Sequence, residues 1–431
     1  MNYFSLNHRS PNVVFREAVI HGIAPDKGLY FPKDITPLPN TFFEDIDSLT
    51  NEAIAFECIR QFVSPDIPDE VLKTIIDETL SFDFPIVNIN ETISTLELFH
   101  GPTMAFKDVG ARFMARCLGY FNKDSSNEVT VLVATSGDTG GAVANGFLGV
   151  EGVRVVILYP SGRVSDIQEK QLTTLKKNIT ALEVNGSFDD CQEMVKRAFL
   201  DSDITGTVQL TSANSINVAR WLPQMFYYFF AYKTLRKSHP DLVFSVPSGN
   251  FGNICAGIMG QKLGLPVRHF IAANNANDVV TEYLKTERYQ PKPSVQTISN
   301  AMDVGNPSNF VRILEIYNND FNVLKNNLSS YSFSDSDTQS AMQELYNDFN
   351  YVADPHGAVG YLGCKRYLKS DPGAHCVFLE TAHPSKFLDV VEDTIKQNIV
   401  LPPQIISVME KKKNAIAISS YEELKEFLIN N

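Results

Sequence analysis

Lys107 stands in the run H-G-P-T-M-A-F-K-D-V-G-A-R, residues 100–112, directly after Phe106. A strand-and-turn region gives way there to a helix that Asp108 is expected to cap. A lysine beside bulky apolar groups and a helix N-terminus loses proton affinity. As a neutral amine it can form a Schiff base with a carbonyl compound. A surface lysine paired with Asp108 fits the same residues. A second run, S-V-P-S-G-N-F-G-N at 245–253, leads from a strand into Gly249, Asn250, Phe251, Gly252 and Asn253, and then into the small-residue helix I-C-A-G. Backbone N–H groups there, with the positive end of the helix, can hold a phosphate without a cation. An ordinary tight turn fits these residues equally well.

Three further turns carry polar groups. In T-S-G-D-T-G-G, residues 135–141, Ser136, Thr139 and backbone N–H groups can bind a carboxylate at a helix start. Asp138-Thr139-Gly140 also spells the aspartic-protease triplet. That chemistry needs two carboxylates sharing a proton, and the chain has no second D-T-G or D-S-G. In T-S-A-N-S-I-N-V-A-R-W, residues 211–221, Asn214, Ser215 and Arg220 can converge on an anion, with Arg220 making a bidentate phosphate contact. A capped helix with an exposed arginine is the other reading. In E-T-A-H-P-S-K-F, residues 380–387, the Thr381 hydroxyl stands at a strand end. His100, His356 and His383 lack metal-ligand spacing and read as structural histidines. There is no G-x-G-x-x-G, no P-loop and no H-E-x-x-H.

The elements that must position these turns are legible as β-branched apolar runs. Strands are expected at Val129–Thr135, Val153–Tyr159, Thr180–Val184, Val208–Ser212, Leu242–Val246 and Cys376–Thr381. Continuous apolar strands alternating with helices predict an α/β fold of mainly parallel sheets covered by helices. Such sheets place ligands beyond the C-terminal ends of their strands. Ser187 and Asp190 have capping-box spacing, and F-Y-Y-F-F-A-Y at 226–232 predicts a buried aromatic helix. Residues 1–82 predict a small, mostly helical domain containing G-L-Y-F-P at 28–32. A large domain is expected over 83–128 and 225–410, a small α/β domain over 129–224, and a tail helix within 411–431. Asn318–Asp348 reads as an exposed helical insertion.

The 431 residues carry 37 Lys+Arg against 50 Asp+Glu, a net charge of −13. That disfavours nucleic acid and anionic membranes as partners. The densest basic run, Lys411–Lys413, reads as a solvated helix face. No stretch approaches the roughly 20 apolar residues of a membrane span. Six cysteines without C-x-x-C spacing, and no signal-peptide pattern at the start, predict reduced thiols and a cytoplasmic home.

In this order, on an α/β chain, the turns resemble those of the fold-type II pyridoxal-phosphate enzymes, the fold of tryptophan synthase β. H-G-P-T-M-A-F-K-D, S-G-D-T-G-G-A, S-G-N-F-G-N and T-A-H-P-S-K-F, with the G-L-Y-F-P domain, resemble the threonine synthase family in its bacterial and fungal branch. The resemblance implies pyridoxal 5'-phosphate held by Lys107 as a Schiff base, with Lys107 then acting as the base. Phe106 would adjoin the cofactor. Gly249, Asn250, Phe251, Gly252 and Asn253 would wrap its phosphate, and Thr381 would bind its ring nitrogen. Ser136, Asp138 and Thr139 would line the substrate carboxylate site; Asp138 stands where relatives usually have Asn. Asn214, Ser215 and Arg220 would hold a substrate phosphate. The implied reaction turns O-phospho-L-homoserine and water into L-threonine and phosphate, by γ-elimination and then β-addition of water, in a monomer or dimer without metal. Another fold-type II lyase, such as a threonine or serine dehydratase, and a non-catalytic ligand-binding homologue are the alternatives.

Overall fold

The computed structural model describes residues 1–123 and 128–430, so 124–127 within the expected large domain and residue 431 of the expected tail lie outside it. Fourteen strands in these residues form three sheets. Strands β1 (Asn2–Ser5), β2 (Val13–Val14) and β3 (Tyr30–Pro32) make a small antiparallel sheet. Of the helical patterns expected here at Glu44–Phe62 and Glu70–Ser81, the second is present as Asp69–Thr79, while the first is broken into Asn40–Asp45, Ile46–Ser48 and Asn51–Val63, the last capped by Thr50. G-L-Y-F-P is thus partly a strand, because three apolar residues show too little periodicity to separate strand from turn.

The large sheet holds β4 (Ile86–Asn88), β5 (Ile93–Glu97), β10 (Leu242–Pro247), β11 (Val267–Asn274), β12 (Leu328–Ser332) and β13 (His375–Glu380). Its order is β12-β11-β10-β13-β5-β4, parallel except for the β4–β5 pair. The smaller sheet holds β6 (Val129–Ala134), β7 (Val153–Pro160), β8 (Ile179–Val184), β9 (Gln209–Thr211) and β14 (Ile416–Ile418), all parallel in the order β14-β8-β7-β6-β9. Every residue of β6 and β13 is buried, as strands covered on both faces require.

Helix Phe226–Leu235 carries the aromatic run and is buried nearly all round. It belongs to the main core, which runs without a break from Tyr3 and Phe62 to Phe244 and Leu379. That continuity seats the N-terminal unit against both sheets. The Ser187–Asp190 capping box forms as expected.

Three expectations are corrected. Asn318–Asp348 is largely helical as expected, at Phe321–Asn327 and Asp335–Phe349, but between these helices it supplies edge strand β12, whose L-S-S-Y-S sequence lacks the apolar run of a buried strand. Residues 411–431 do not form a tail helix alone: β14 pairs with β8 before helix Tyr421–Asn430. Lys411–Lys413 is not helical, and Lys413 bridges Glu169 and Glu183 at 2.7 and 2.8 Å.

Candidate active site

The Lys107 turn is fastened to the end of β13. Phe106 donates its N–H to the Thr381 carbonyl at 2.8 Å, and His383 donates to the Met104 carbonyl at 3.0 Å. Ala105 and Ala382 form the antiparallel bridge between them. Tyr227 donates its hydroxyl to the Phe106 carbonyl from the other side. Helix Lys107–Asn122 then begins at the lysine itself, with Phe106 in the cap position and no side-chain cap. Asp108 is therefore no helix cap. Its carboxylate reaches back to Thr103, accepting from N at 2.9 Å and Oγ1 at 2.5 Å. That commitment also removes it as an ion-pair partner for Lys107.

Burial pushes the Lys107 amine down to about 8, with Asp138 opposing and the Lys386 and Arg220 cations reinforcing the shift. The Phe106 ring centroid lies 5.7 Å from Nζ. The Thr381 hydroxyl makes no hydrogen bond among the described residues and is not sealed off.

The Gly249–Asn253 turn leads from β10 into helix Gly252–Lys262. Phe251 sits at φ +61°, a conformation bulky residues rarely adopt and one that clusters at ligand clamps. Its ring packs edge-on against Phe310. A Cβ on Gly249 would lie 2.8 Å from the Met302 Cα and 2.9 Å from the Ala301 carbonyl oxygen, so no side chain fits. Asn250 accepts from the Ser308 hydroxyl through Oδ1 and, by its carbonyl, from the Asn309 N–H. Asn253 accepts from Tyr228 through Oδ1, while its Nδ2 is buried with no acceptor among the described residues. A buried donor without a partner marks a position for an acceptor from outside the chain.

The turn after β6 is shaped by Thr135, whose Oγ1 accepts from the N–H groups of Gly137 and Gly140 at 3.0 and 2.8 Å. Ser136 and Thr139 keep their hydroxyls free of protein partners among the described residues. Asp138 is buried at the start of helix Asp138–Gly146. Its Oδ1 accepts from both Lys386 Nζ at 2.7 Å and Gln168 Nε2 at 2.9 Å, while Oδ2 has no hydrogen-bond partner among the described residues. Burial pushes this carboxyl up, but the Lys386 and Lys107 cations outweigh it and hold it well below the usual carboxylate range.

Asn214 and Ser215 follow β9. Ser215 Oγ accepts from Asn309 Nδ2 at 2.9 Å, and its Cβ lies 3.1 Å from where a Gly252 Cβ would stand. The two anion-directed turns thus abut, although their strands belong to different sheets. Asn214 Nδ2 donates to the Ala134 carbonyl at 3.4 Å. Arg220 is buried, not exposed. Its Nε donates to the Ala213 carbonyl at 2.7 Å and its Nη1 to the Lys107 carbonyl at 2.8 Å, while Nη2 has no acceptor among the described residues. Burial lowers the guanidinium to about 10.

Thus Phe106, Thr381, Asp138 and Arg220 lie beside Lys107 or its backbone, and the Asn214–Ser215 turn, close to Arg220 in the chain, abuts the Gly249–Asn253 turn. The structure adds others. Arg312 is buried, stacks on Trp221, and donates to the carbonyls of Ser215, Ile216 and Tyr30. Gln168 and Lys386 hold Asp138. Lys386 lies inside the T-A-H-P-S-K-F run, but nothing in that run distinguishes it from a surface lysine.

The family model described as "Pyridoxal-phosphate dependent enzyme" matches residues 90–381, and those described as "Threonine synthase N terminus" and "Threonine synthase, C-terminal" match 2–80 and 357–428. The chain belongs to the threonine synthase family. It is 41% identical over 440 residues to the threonine synthase of Buchnera aphidicola subsp. Schizaphis graminum, with all of both chains covered. The crystal structure of threonine synthase from Escherichia coli superposes with a TM-score of 0.92 at 39% identity, covering all of both chains. The PLP-bound threonine synthase from Brucella melitensis gives 0.93 at 31% identity, covering 100% of this chain and 99% of that one. The fold is therefore fold-type II and the cofactor is pyridoxal phosphate, as expected of a threonine synthase. The residues present fit the group: an amine of lowered proton affinity, a glycine turn with an orphaned buried donor, and an open hydroxyl at the neighbouring strand end.

No described helix is long and apolar enough to cross a membrane. No group of three or more His, Cys, Asp or Glu among the described residues is placed to hold a metal ion. His100, His356 and His383 pair instead with Glu97, Asp354 and Ser385.

Proposed function

We propose that this threonine synthase acts on O-phospho-L-homoserine, releasing phosphate from Cγ and placing the oxygen of water on Cβ to give L-threonine. The carrying observation is that the lowered amine of Lys107 is tied through Arg220 to one of two abutting turns with unspent donors. One is the Gly249–Asn253 turn, with Asn253 Nδ2. The other is the Asn214–Ser215 turn, backed by Arg220 Nη2. One turn suits the cofactor phosphate and the other a substrate phosphate.

Lys107 would carry the cofactor through Nζ, Gly249, Asn250, Phe251, Gly252 and Asn253 would cradle its phosphate, and Thr381 would meet its ring nitrogen. Pyridoxal phosphate, when bound, supplies the electron sink that makes the substrate Cα and Cβ protons acidic. Lys107 Nζ takes the Cα proton and returns one to Cα at the end, which its lowered proton affinity favours near neutral pH. Ser136, Thr139 and the N-terminus of helix Asp138–Gly146 orient the substrate carboxylate. Asp138 serves that turn from behind, since its own negative charge would repel a carboxylate. Arg220 Nη2, Asn214 and Ser215 hold the phosphate as it gains charge on leaving.

Residues 1–82, 83–128 with 225–410, and 129–224 are proposed as the three units. The pairing of β14 with β8 supports adding 411–431 to the last. A cytoplasmic location is proposed too, supported by six free, buried thiols.

The test is product analysis with the purified, cofactor-loaded protein. O-Phospho-L-homoserine should yield threonine and phosphate in equal amounts, and L-threonine or L-serine should yield no keto acid. Keto-acid formation from an unphosphorylated hydroxy amino acid, without turnover of the phosphate ester, would make it a dehydratase.

A further inference from the structure

Lys386 has no accessible surface. Its Nζ touches Asp138 Oδ1 at 2.7 Å and the Thr103 carbonyl oxygen at 2.8 Å. These contacts join three separate pieces of chain: the short helix after β13, the helix after β6, and the turn before Lys107. Neighbouring bonds reinforce the junction. Gln171 Nε2 donates to the same Thr103 carbonyl at 3.1 Å, and Ser165 Oγ donates to the Lys386 carbonyl at 3.1 Å. Thr103 is in turn fixed by Asp108, the residue after Lys107.

A buried ion pair is weak evidence for stability, because desolvating both charges offsets their attraction. Its placement is more informative. Asp138 lies close enough to attract the Lys107 ammonium, yet among the described residues no hydrogen bond joins them; both of its bonds, from Lys386 and Gln168, fall on Oδ1. An unpaired buried carboxylate beside Lys107 would instead take the Lys107 ammonium as its partner and hold the proton on it.

We propose that Lys386 is a positioning residue of the reaction, whose ammonium occupies the Asp138 carboxylate and the Thr103 carbonyl and so leaves the Lys107 amine free to react. The proposal rests on the reading of Lys107 as the reactive amine. The charged groups facing Lys107 are Asp138 and Lys386, from the two elements just named, and Arg220, from helix Val218–Trp221. Lys386 faces Asp138, Lys107, Asp108 and His383. Arg220 is held by backbone carbonyls, so Lys386 is the cation that engages Asp138 directly.

The experiment follows the pH midpoint at which the cofactor-free protein takes up pyridoxal phosphate at Lys107, read by borohydride trapping and peptide mapping. The parent midpoint should lie near about 8. In Lys386→Met it should rise by about one to three units, the range of an unmasked neighbouring charge. In Asp138→Asn alone it should fall, because the attraction is gone and the Lys386 cation remains. The double variant should return close to the parent. A merely structural role would lower melting temperature without moving the midpoint. An unmoved midpoint in Lys386→Met, or a double variant no nearer the parent than that single, would overturn the proposal. If Lys386→Met does not fold, an unmoved or raised midpoint in Asp138→Asn would overturn it. Absence of label at Lys107 in the parent would overturn the assignment of Lys107 itself, and this proposal with it.

Discussion

Phe106 donates its backbone N–H to the Thr381 carbonyl at 2.8 Å. One bond thus ties the residue before the reactive lysine to the strand end whose hydroxyl is proposed for the ring nitrogen. Distant in sequence, Lys107 and Thr381 are held as neighbours by backbone, independently of either side chain.

It follows that Thr381→Val should fold like the parent, since the hydroxyl makes no hydrogen bond among the described residues. Loss of one hydrogen bond of about 1–1.5 kcal/mol should lower kcat roughly tenfold. Cofactor should still load onto Lys107. Parent-like kcat in a fully loaded variant would show that the hydroxyl touches nothing that matters.

The two glycines of the phosphate turn should differ. Gly249→Ala places a methyl 2.8 Å from backbone at Met302, which cannot move aside without shifting the turn. Gly252→Ala meets the Ser215 Cβ at 3.1 Å, a side-chain contact with some room to yield. Equilibrium dialysis of pyridoxal phosphate should show weaker binding in Gly249→Ala than in Gly252→Ala. The reverse order would contradict the proposed cradle.

Arg220 carries two duties that one substitution can separate. Lysine retains a charge but cannot reproduce the paired bonds to Ala213 and Lys107 together with a free Nη2. Arg220→Lys should lower kcat/KM for O-phospho-L-homoserine by roughly ten- to a hundredfold, the scale of a charged hydrogen bond of about 1.5–3 kcal/mol. Cofactor occupancy should hold. Parent-like kcat/KM would remove Arg220 from the phosphate site.

The site turns were legible in the sequence because each places small polar residues, in three of the five together with glycine, after an apolar strand, a pattern local to a few positions. The partners that tune them were not. Arg312 reads as a surface arginine in V-R-I-L, yet it is buried on Trp221 and holds three carbonyls. The burial of Lys386 depends on the segments after β13 and β6, strands of different sheets, meeting at Asp138, a relation no local pattern encodes. Edge strands β12 and β14 were hidden for the same reason: exposed edges need no apolar run, so their pairing is set by tertiary context.

Glu380, beside Thr381, gives a stability prediction. Burial, then the nearby Asp354 carboxylate, raises its carboxyl well above the ordinary range, and Oε2 has no partner. A raised carboxyl favours the fold while protonated in both states, and that advantage disappears as pH rises above the unfolded value near 4.5. Relative to Glu380→Gln, the parent should therefore lose stability as pH climbs from about 4.5, by up to about 1.4 kcal/mol per pH unit. Urea melts of both proteins from acid to neutral pH measure this. Parallel curves would mean that Glu380 is ionised in the fold.

The identity of the reactive amine is the centre of the account. The direct measurement is borohydride reduction of the cofactor-loaded protein, followed by peptide mapping, with Lys107→Ala alongside. The label should fall on the peptide carrying Lys107, and Lys107→Ala should fold but release no phosphate from O-phospho-L-homoserine. A label on Lys386 or any other lysine, or undiminished turnover in Lys107→Ala, would contradict it.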